Sequence, residues 1–197
     1  MNRFLSALQV LLRTGIRHWR FPARYLLHKK EPYFKNRKYR LIDMSLKKIK
    51  CCGIEGDYFE FGLFTGRAFL SAHELKQKHG MNFHLYGFDS FEGLPDFSGR
   101  DASWKCFAPG QYNCSLERFQ EILKAYRVPD SDYTLIPGFY EESLPALSES
   151  KDWCGSGSGL KRCALAYIDC DLYESTVSVL DFLTPYLVGG SIIIFDD

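Results

Sequence analysis

Between Ala164 and Asp197 the chain carries two short apolar runs, Ala164-Leu165-Ala166-Tyr167-Ile168 and Ser191-Ile192-Ile193-Ile194-Phe195, and each runs straight into acid. Asp169-Cys170-Asp171 follows the first and Asp196-Asp197 the second, with a helical pattern and Gly189-Gly190 between them. Continuous apolar strands of this length belong to a sheet covered on both faces. A strand-helix-strand unit crosses over with one hand, so both strands point the same way and both acidic ends emerge at one rim. Neighbouring strands lie about 5 Å apart. If these two are neighbours, Asp169, Asp196 and Asp197 crowd together where an open α/β sheet holds its ligands. Carboxylates that close repel one another and take up protons unless a cation lies among them, and hard oxygen donors suit Mg²⁺. Asp171 has a different expected job: with Glu174 it forms a capping box for a helix whose buried stripe is Tyr173, Val177, Leu180, Leu183 and Leu187. The bland alternative is that these acids are ordinary solvated strand ends.

Size and composition bound the rest. At 197 residues with 46% apolar content and a net charge of +1, the chain can bury one substantial core and shows no bias toward nucleic acid. No apolar run reaches the roughly 18 residues that span a bilayer, and no small-residue cleavage site follows the N-terminal apolar stretch. Seven cysteines without a CxxC pair or zinc spacing read as free thiols in a reducing, cytoplasmic setting. Residues 1–50 read as a basic helical segment, with Phe4, Leu5, Leu8, Leu12, Ile16 and Trp19 on one face and Leu41, Ile42, Leu46 and Ile49 resuming the pattern later. That face packs on the domain or on another subunit of a homo-oligomer; contact of residues 1–20 with a membrane surface is the alternative.

The domain proper spans 51–197 and reads as an α/β, Rossmann-like, doubly wound, mostly parallel sheet. Tyr58-Phe59-Glu60-Phe61 is its first strand, and Gly62-Leu63-Phe64-Thr65-Gly66 turns into a helix carrying Ala68, Phe69, Ala72 and Leu75. Glycines at 62 and 66 let backbone approach a ligand, and Glu60 stands where it can hydrogen-bond that ligand. Phe83 to Phe88 is a second strand, and Asp89 at its end occupies the usual place of an acid that holds ribose hydroxyls. The long stretch from Pro95 to Asn113, with Trp104, Phe107 and Tyr112, is expected to form part of a substrate pocket. Ser115 caps a helix bearing Leu116, Phe119, Leu123 and Tyr126; Tyr133 to Ile136 is a third strand, and Glu141 to Leu147 opens a short helix. Gly155 to Gly159 precedes a strand, lacks Lys-Thr, and reads as a flexible connection.

Taken together, Glu60-Phe61-Gly62-Leu63-Phe64-Thr65-Gly66, Asp89-Ser90-Phe91-Glu92-Gly93-Leu94-Pro95, Ser115-Leu116-Glu117, Gly138-Phe139-Tyr140 with Ser143-Leu144-Pro145, Asp171-Leu172-Tyr173-Glu174-Ser175-Thr176 and Asp196-Asp197 resemble, in order, the macrocin-type (TylF/MycF) O-methyltransferases. The likeness covers residues 54–197. It implies a class I methyltransferase that uses S-adenosylmethionine and Mg²⁺ to methylate a hydroxyl of a sugar on a natural product. By the same resemblance Glu60, Gly62, Phe64 and Gly66 line the methionine end, Asp89 and Ser90 hold the ribose, Gly138 and Phe139 lie near the adenine, and Asp169, Asp196 and Asp197 bind the metal. The reaction needs an acceptor oxygen aligned with the C–S bond and its proton removed, and Mg²⁺ can assist both.

Two departures stand out. The family pattern expects a histidine base after the second strand, yet no histidine follows His84; Asp169, Asp171, Lys105 or the metal alone must substitute. The chain also ends at the fifth strand, where the class I fold continues, so a fragment or truncated product with an exposed strand edge is expected. A non-catalytic binding module of the same fold, and a nucleotide-dependent dehydrogenase, stay open as alternatives.

Overall fold

The computed structural model describes residues 37–97, 100–101, 107–150, 153 and 161–196. The N-terminal apolar face, Trp104, Lys105, the Gly155–Gly159 connection and Asp197 lie outside them. The elements in order are α1 (Arg37–Cys52), β1 (Asp57–Phe61), α2 (Arg67–Lys78), β2 (Leu85–Asp89), α3 (Leu116–Ala125), β3 (Tyr133–Pro137), α4 (Tyr140–Glu149), β4 (Cys163–Ile168), α5 (Tyr173–Leu183) and β5 (Leu187–Phe195). All five strands run parallel in the order β3-β2-β1-β4-β5. After β3 the chain jumps over β1 and β2 to lay β4 on the far side of β1. The direction of winding therefore reverses between β1 and β4, and a crevice opens at the carboxyl ends of those two strands.

Alternation along β1 divides the core. Tyr58 and Glu60 face the side covered by α2, where the Tyr58 and Phe69 rings meet at 6.4 Å. Phe59 and Phe61 face α4 and α5 in a cluster with Tyr86, Phe88, Trp153, Phe182 and Tyr186. Phe61 stacks on Phe88 at 4.4 Å, and the Trp153 indole donates to the Tyr186 hydroxyl at 2.9 Å, so that cluster satisfies its polar edges internally. In α1 the buried stripe is Tyr39, Ile42, Leu46 and Ile49, while Leu41 turns outward. One compact unit runs from Arg37 and includes α1, which packs with the sheet. Cys114, Cys163 and Cys170 are buried thiols; Cys51 and Cys52 are exposed.

Three local expectations are corrected. The glycine pair Gly189-Gly190 does not lie between the helix and the last strand but inside β5, in an irregular stretch where pairing passes from Cys163–Leu187 to Leu165–Ile192. Ser191 holds that stretch, its hydroxyl 2.6 Å from the Cys163 carbonyl while it accepts from the Val188 amide at 2.8 Å. The stripe of α5 falls on Ser175, Val179, Phe182 and Leu183; Tyr173, Val177 and Leu187 are exposed. Asp171 does not cap α5. It sits in the left-handed region at φ 62°, and the cap comes from Asp101, a fully buried carboxylate of the long loop that accepts from the Tyr173 and Glu174 amides at 2.9 and 3.1 Å. A distant residue took the capping role because the position before the helix is Leu172, whose side chain has no acceptor for the first amides.

Candidate active site

The crevice holds a cavity of about 320 Å³ with two chemically different walls. Gly62, Phe64, Asp89, Ser90, Gly138 and Phe139 line one part, and Lys38, Asp169, Asp171 and Asp196 line another. Gly93, Leu94, Pro95 and Tyr112, from the second-strand motif and the loop after it, add to the lining. The exposed rings of Phe64 and Tyr112 meet edge to face at 5.6 Å across its mouth.

Strand pairing brings the carboxylates together. Ile168 pairs with Phe195, and the Asp196 amide donates to the Ile168 carbonyl at 3.0 Å, so the residues after β4 and β5 end side by side. The Lys38 ammonium, from the first turn of α1, lies 2.7 Å from Asp169 Oδ2 and 2.7 Å from Asp196 Oδ2. The Tyr167 hydroxyl donates to Asp196 Oδ1 at 2.6 Å. The cation that the clustered acids require is thus supplied by the protein itself. Burial pushes the Lys38 pKa down, but its hydrogen bonds to both carboxylates outweigh that and raise it above its ordinary value, so Lys38 stays an ammonium. Burial pushes Asp196 up, and the Lys38 and Tyr167 hydrogen bonds outweigh it and hold the carboxyl below its usual range.

Among the described residues no group of three or more His, Cys, Asp or Glu is arranged to hold a metal. The three-carboxylate site expected from the sequence is therefore represented by two, because Asp197 lies outside the described residues. Asp169 and Asp196 nevertheless aim one hard oxygen each at a common point already held by a cation, a donor set that fits Mg²⁺.

The other part of the lining is built largely from backbone. Gly62 has φ 86°, and a Cβ added there would stand 1.9 Å from the Asp169 carbonyl oxygen, so glycine is demanded by the close passage of the two strand ends. Asp89 accepts from the Leu63, Phe64 and Phe91 amides at 2.6, 3.2 and 2.7 Å and so ties the glycine turn to the end of β2. A carboxylate accepts about four hydrogen bonds, which leaves Asp89 room for about one more. The Ser90 hydroxyl is engaged locally, donating to the Gly93 carbonyl at 2.7 Å and accepting from the Glu92 amide at 3.1 Å. Gly66 caps α2 against the Phe119 ring rather than facing the cavity.

Glu60 is placed differently from the expectation that it meets a ligand. It is buried on the α2 side of β1, absent from the cavity wall, and accepts from the Tyr58 hydroxyl. Burial raises its pKa well above the carboxylate range; the Tyr58 hydrogen bond opposes the rise and the nearby Asp169 charge adds to it. Glu60 thus lies behind the site, held in the core by Tyr58. Sequence reading missed Lys38 and Asp101. Lys38 sits among Lys35, Arg37 and Arg40, where nothing in the local pattern separates a paired lysine from solvated ones. Among the proposed proton acceptors Asp169 and Asp171 line the cavity, and Lys105 falls outside the described residues.

Residues 35–197 match the family described as Macrocin-O-methyltransferase (TylF). The chain is 28% identical over 162 residues to 8-demethyl-8-(2,3-dimethoxy-alpha-L-rhamnosyl)-tetracenomycin-C 4'-O-methyltransferase of Streptomyces olivaceus, covering 79% of this chain and 58% of that protein. It is 26% identical over 153 residues to mycinamicin III 3''-O-methyltransferase of Micromonospora griseorubida, covering 74% of this chain and 56% of that one. The chain thus spans little more than half the length of these curated relatives. Among solved structures, the calicheamicin methyltransferase CalS11 superposes with a TM-score of 0.63 at 27% identity, over 96% of this chain and 74% of the other.

Proposed function

The chain belongs to the macrocin O-methyltransferase (TylF) family, and on that premise we propose that it serves S-adenosylmethionine-dependent, Mg²⁺-assisted methylation of a sugar hydroxyl on a natural product, in the cytoplasm. One observation carries the reading: one cavity at the sheet's reversal point is lined both by the backbone and carboxylate of Gly62, Phe64 and Asp89, which suit a nucleoside, and by the carboxylates of Asp169 and Asp196. Relatives whose names specify hydroxyls of a rhamnosyl tetracenomycin and of a mycinamicin support a glycosylated acceptor.

In this reading Gly62 and Phe64 border the methionine end and Gly66 sets the turn behind them. Asp89 uses its remaining lone pair on a ribose hydroxyl, Ser90 lies beside it, and Gly138 and Phe139 flank the adenine. Glu60 supports the floor from below. S-adenosylmethionine supplies a methyl already activated on a sulfonium, so the chain's task is alignment and proton removal. Asp169, Asp196 and Asp197 would hold Mg²⁺, which would ligate the acceptor and lower its hydroxyl pKa. Of the candidate bases Asp169, Asp171 and Lys105, the first two line the cavity, and Asp171 is the carboxylate not assigned to the metal.

Among the described residues no histidine lines the cavity, which favours a second reading, a binding module that keeps the fold without the chemistry. Calorimetry with S-adenosylmethionine, with and without Mg²⁺, followed by methyl release on glycosylated acceptors, separates the two. Binding with turnover supports the transferase; binding without turnover selects the module. No heat with S-adenosylmethionine defeats both.

A further inference from the structure

We propose that Lys38 is an exchangeable internal cation: its ammonium holds the Asp169–Asp196 rim in the metal-free protein and must leave when a divalent ion binds there. The inference rests on the metal reading of this rim and adds a residue and a competition that the reading does not contain.

Two distances set the conflict. The ammonium lies 2.7 Å from one oxygen of each carboxylate. An Mg²⁺ ion bonded to either of those oxygens sits about 2.1 Å from it, so the two positive centres could be no more than about 4.8 Å apart. They would share the same donors in a half-buried site where charges are poorly screened. Occupancy by one therefore opposes occupancy by the other.

Release of Lys38 needs no unfolding. The side chain is about a third exposed, and it stands at the start of α1, whose hold on the domain comes from Tyr39, Ile42, Leu46 and Ile49 further along. A rotation about the lysine's own bonds is enough to move the ammonium off the two carboxylates, and it leaves those four docking residues in place. Asp196 keeps its Tyr167 hydrogen bond on the other oxygen throughout, which preserves the carboxylate's aim for the incoming ion. Metal affinity is thereby set below what the carboxylates alone would provide, and the metal-free rim is spared the repulsion of adjacent acids.

The test measures Mn²⁺ binding by the paramagnetic resonance signal of the free ion, on the full chain and on Lys38→Met and Lys38→Arg. Lys38→Met is expected to bind Mn²⁺ at least tenfold tighter than the unsubstituted chain, and Lys38→Arg, which keeps a cation, to stay near it. A second measurement needs no variant: acetylation of Lys38, followed by mass spectrometry, should rise severalfold when Mn²⁺ is added. Equal Mn²⁺ affinity in all three proteins, or Lys38 labelling that does not change while Mn²⁺ is bound, overturns the exchange and leaves the metal reading standing. No Mn²⁺ binding by any of them overturns the metal reading and the exchange with it.

Discussion

Replacing Gly62 by alanine tests the close strand passage on which the cavity depends. The added Cβ would lie 1.9 Å from the Asp169 carbonyl oxygen, more than an ångström inside contact distance, and the obstacle is backbone that no side-chain rotation can clear. Retreat is blocked on both sides. The Asp169 amide donates to the Phe61 carbonyl at 2.8 Å, and the Gly62 amide donates to the Phe88 carbonyl at 2.9 Å. Positive φ costs a non-glycine residue about 1–2 kcal/mol, and weakening one or two of these hydrogen bonds adds about 0.5–1.5 kcal/mol each. The sum is a loss of roughly 2–5 kcal/mol, which for a chain of this size lowers Tm by about 4–20 °C. Gly80→Ala is the control, because Gly80 also has positive φ, 58°, but nothing lies within 4 Å of its would-be Cβ. Urea unfolding followed by circular dichroism should show Gly62→Ala losing at least about 1 kcal/mol more than Gly80→Ala. Equal losses would mean that the strand ends do not press on one another and that Gly62 is an ordinary turn glycine.

Other perturbations reach different parts of the fold. Asp101→Ala strips the cap from α5 and should cost about 1–2 kcal/mol, with faster hydrogen exchange at the Tyr173 and Glu174 amides; unchanged exchange there would contradict the capping role. Glu60 has a raised folded pKa, so its stabilising neutral form is fully present below about pH 4.5 and is lost as pH rises through the folded value. Glu60→Gln carries no such loss. Its stability relative to the parent should therefore grow by up to about 1.4 kcal/mol per pH unit from about pH 4.5 until the folded value is passed, and a constant difference between pH 5 and 8 would refute the raised pKa. Phe59→Ala removes a fully buried ring packed against Tyr86 at 5.0 Å and Trp153 at 6.0 Å, and should cost about 3–5 kcal/mol in urea unfolding with a visible change in tryptophan emission.

Much of this protein is written locally. The apolar runs that become β1 to β5, the helix that starts at Ser115, whose hydroxyl accepts from the Arg118 amide at 3.3 Å, and the buried face of α2 follow from periodicity and capping chemistry within a few residues of each position. The acidic strand ends were legible too, since one-handed crossovers send both to the same rim. Register between strands distant in sequence was not. That Ile168 faces Phe195, and so Asp169 stands beside Asp196, depends on how β4 and β5 slide past one another, which neither strand specifies alone.

Partnership across long separations lay further out of reach. Lys38 joins carboxylates more than a hundred residues away, and Asp101 caps a helix that begins 72 residues later. In each case a charge that reads as solvated becomes structural because folding brings its partners to it, and the balance between desolvation cost and those partners is one that no local pattern records. Sequence alone determined which segments fold and that acids gather at one edge. Tertiary structure decided which cation answers them, because only packing α1 against the sheet delivers the Lys38 ammonium to the place where the strand ends converge.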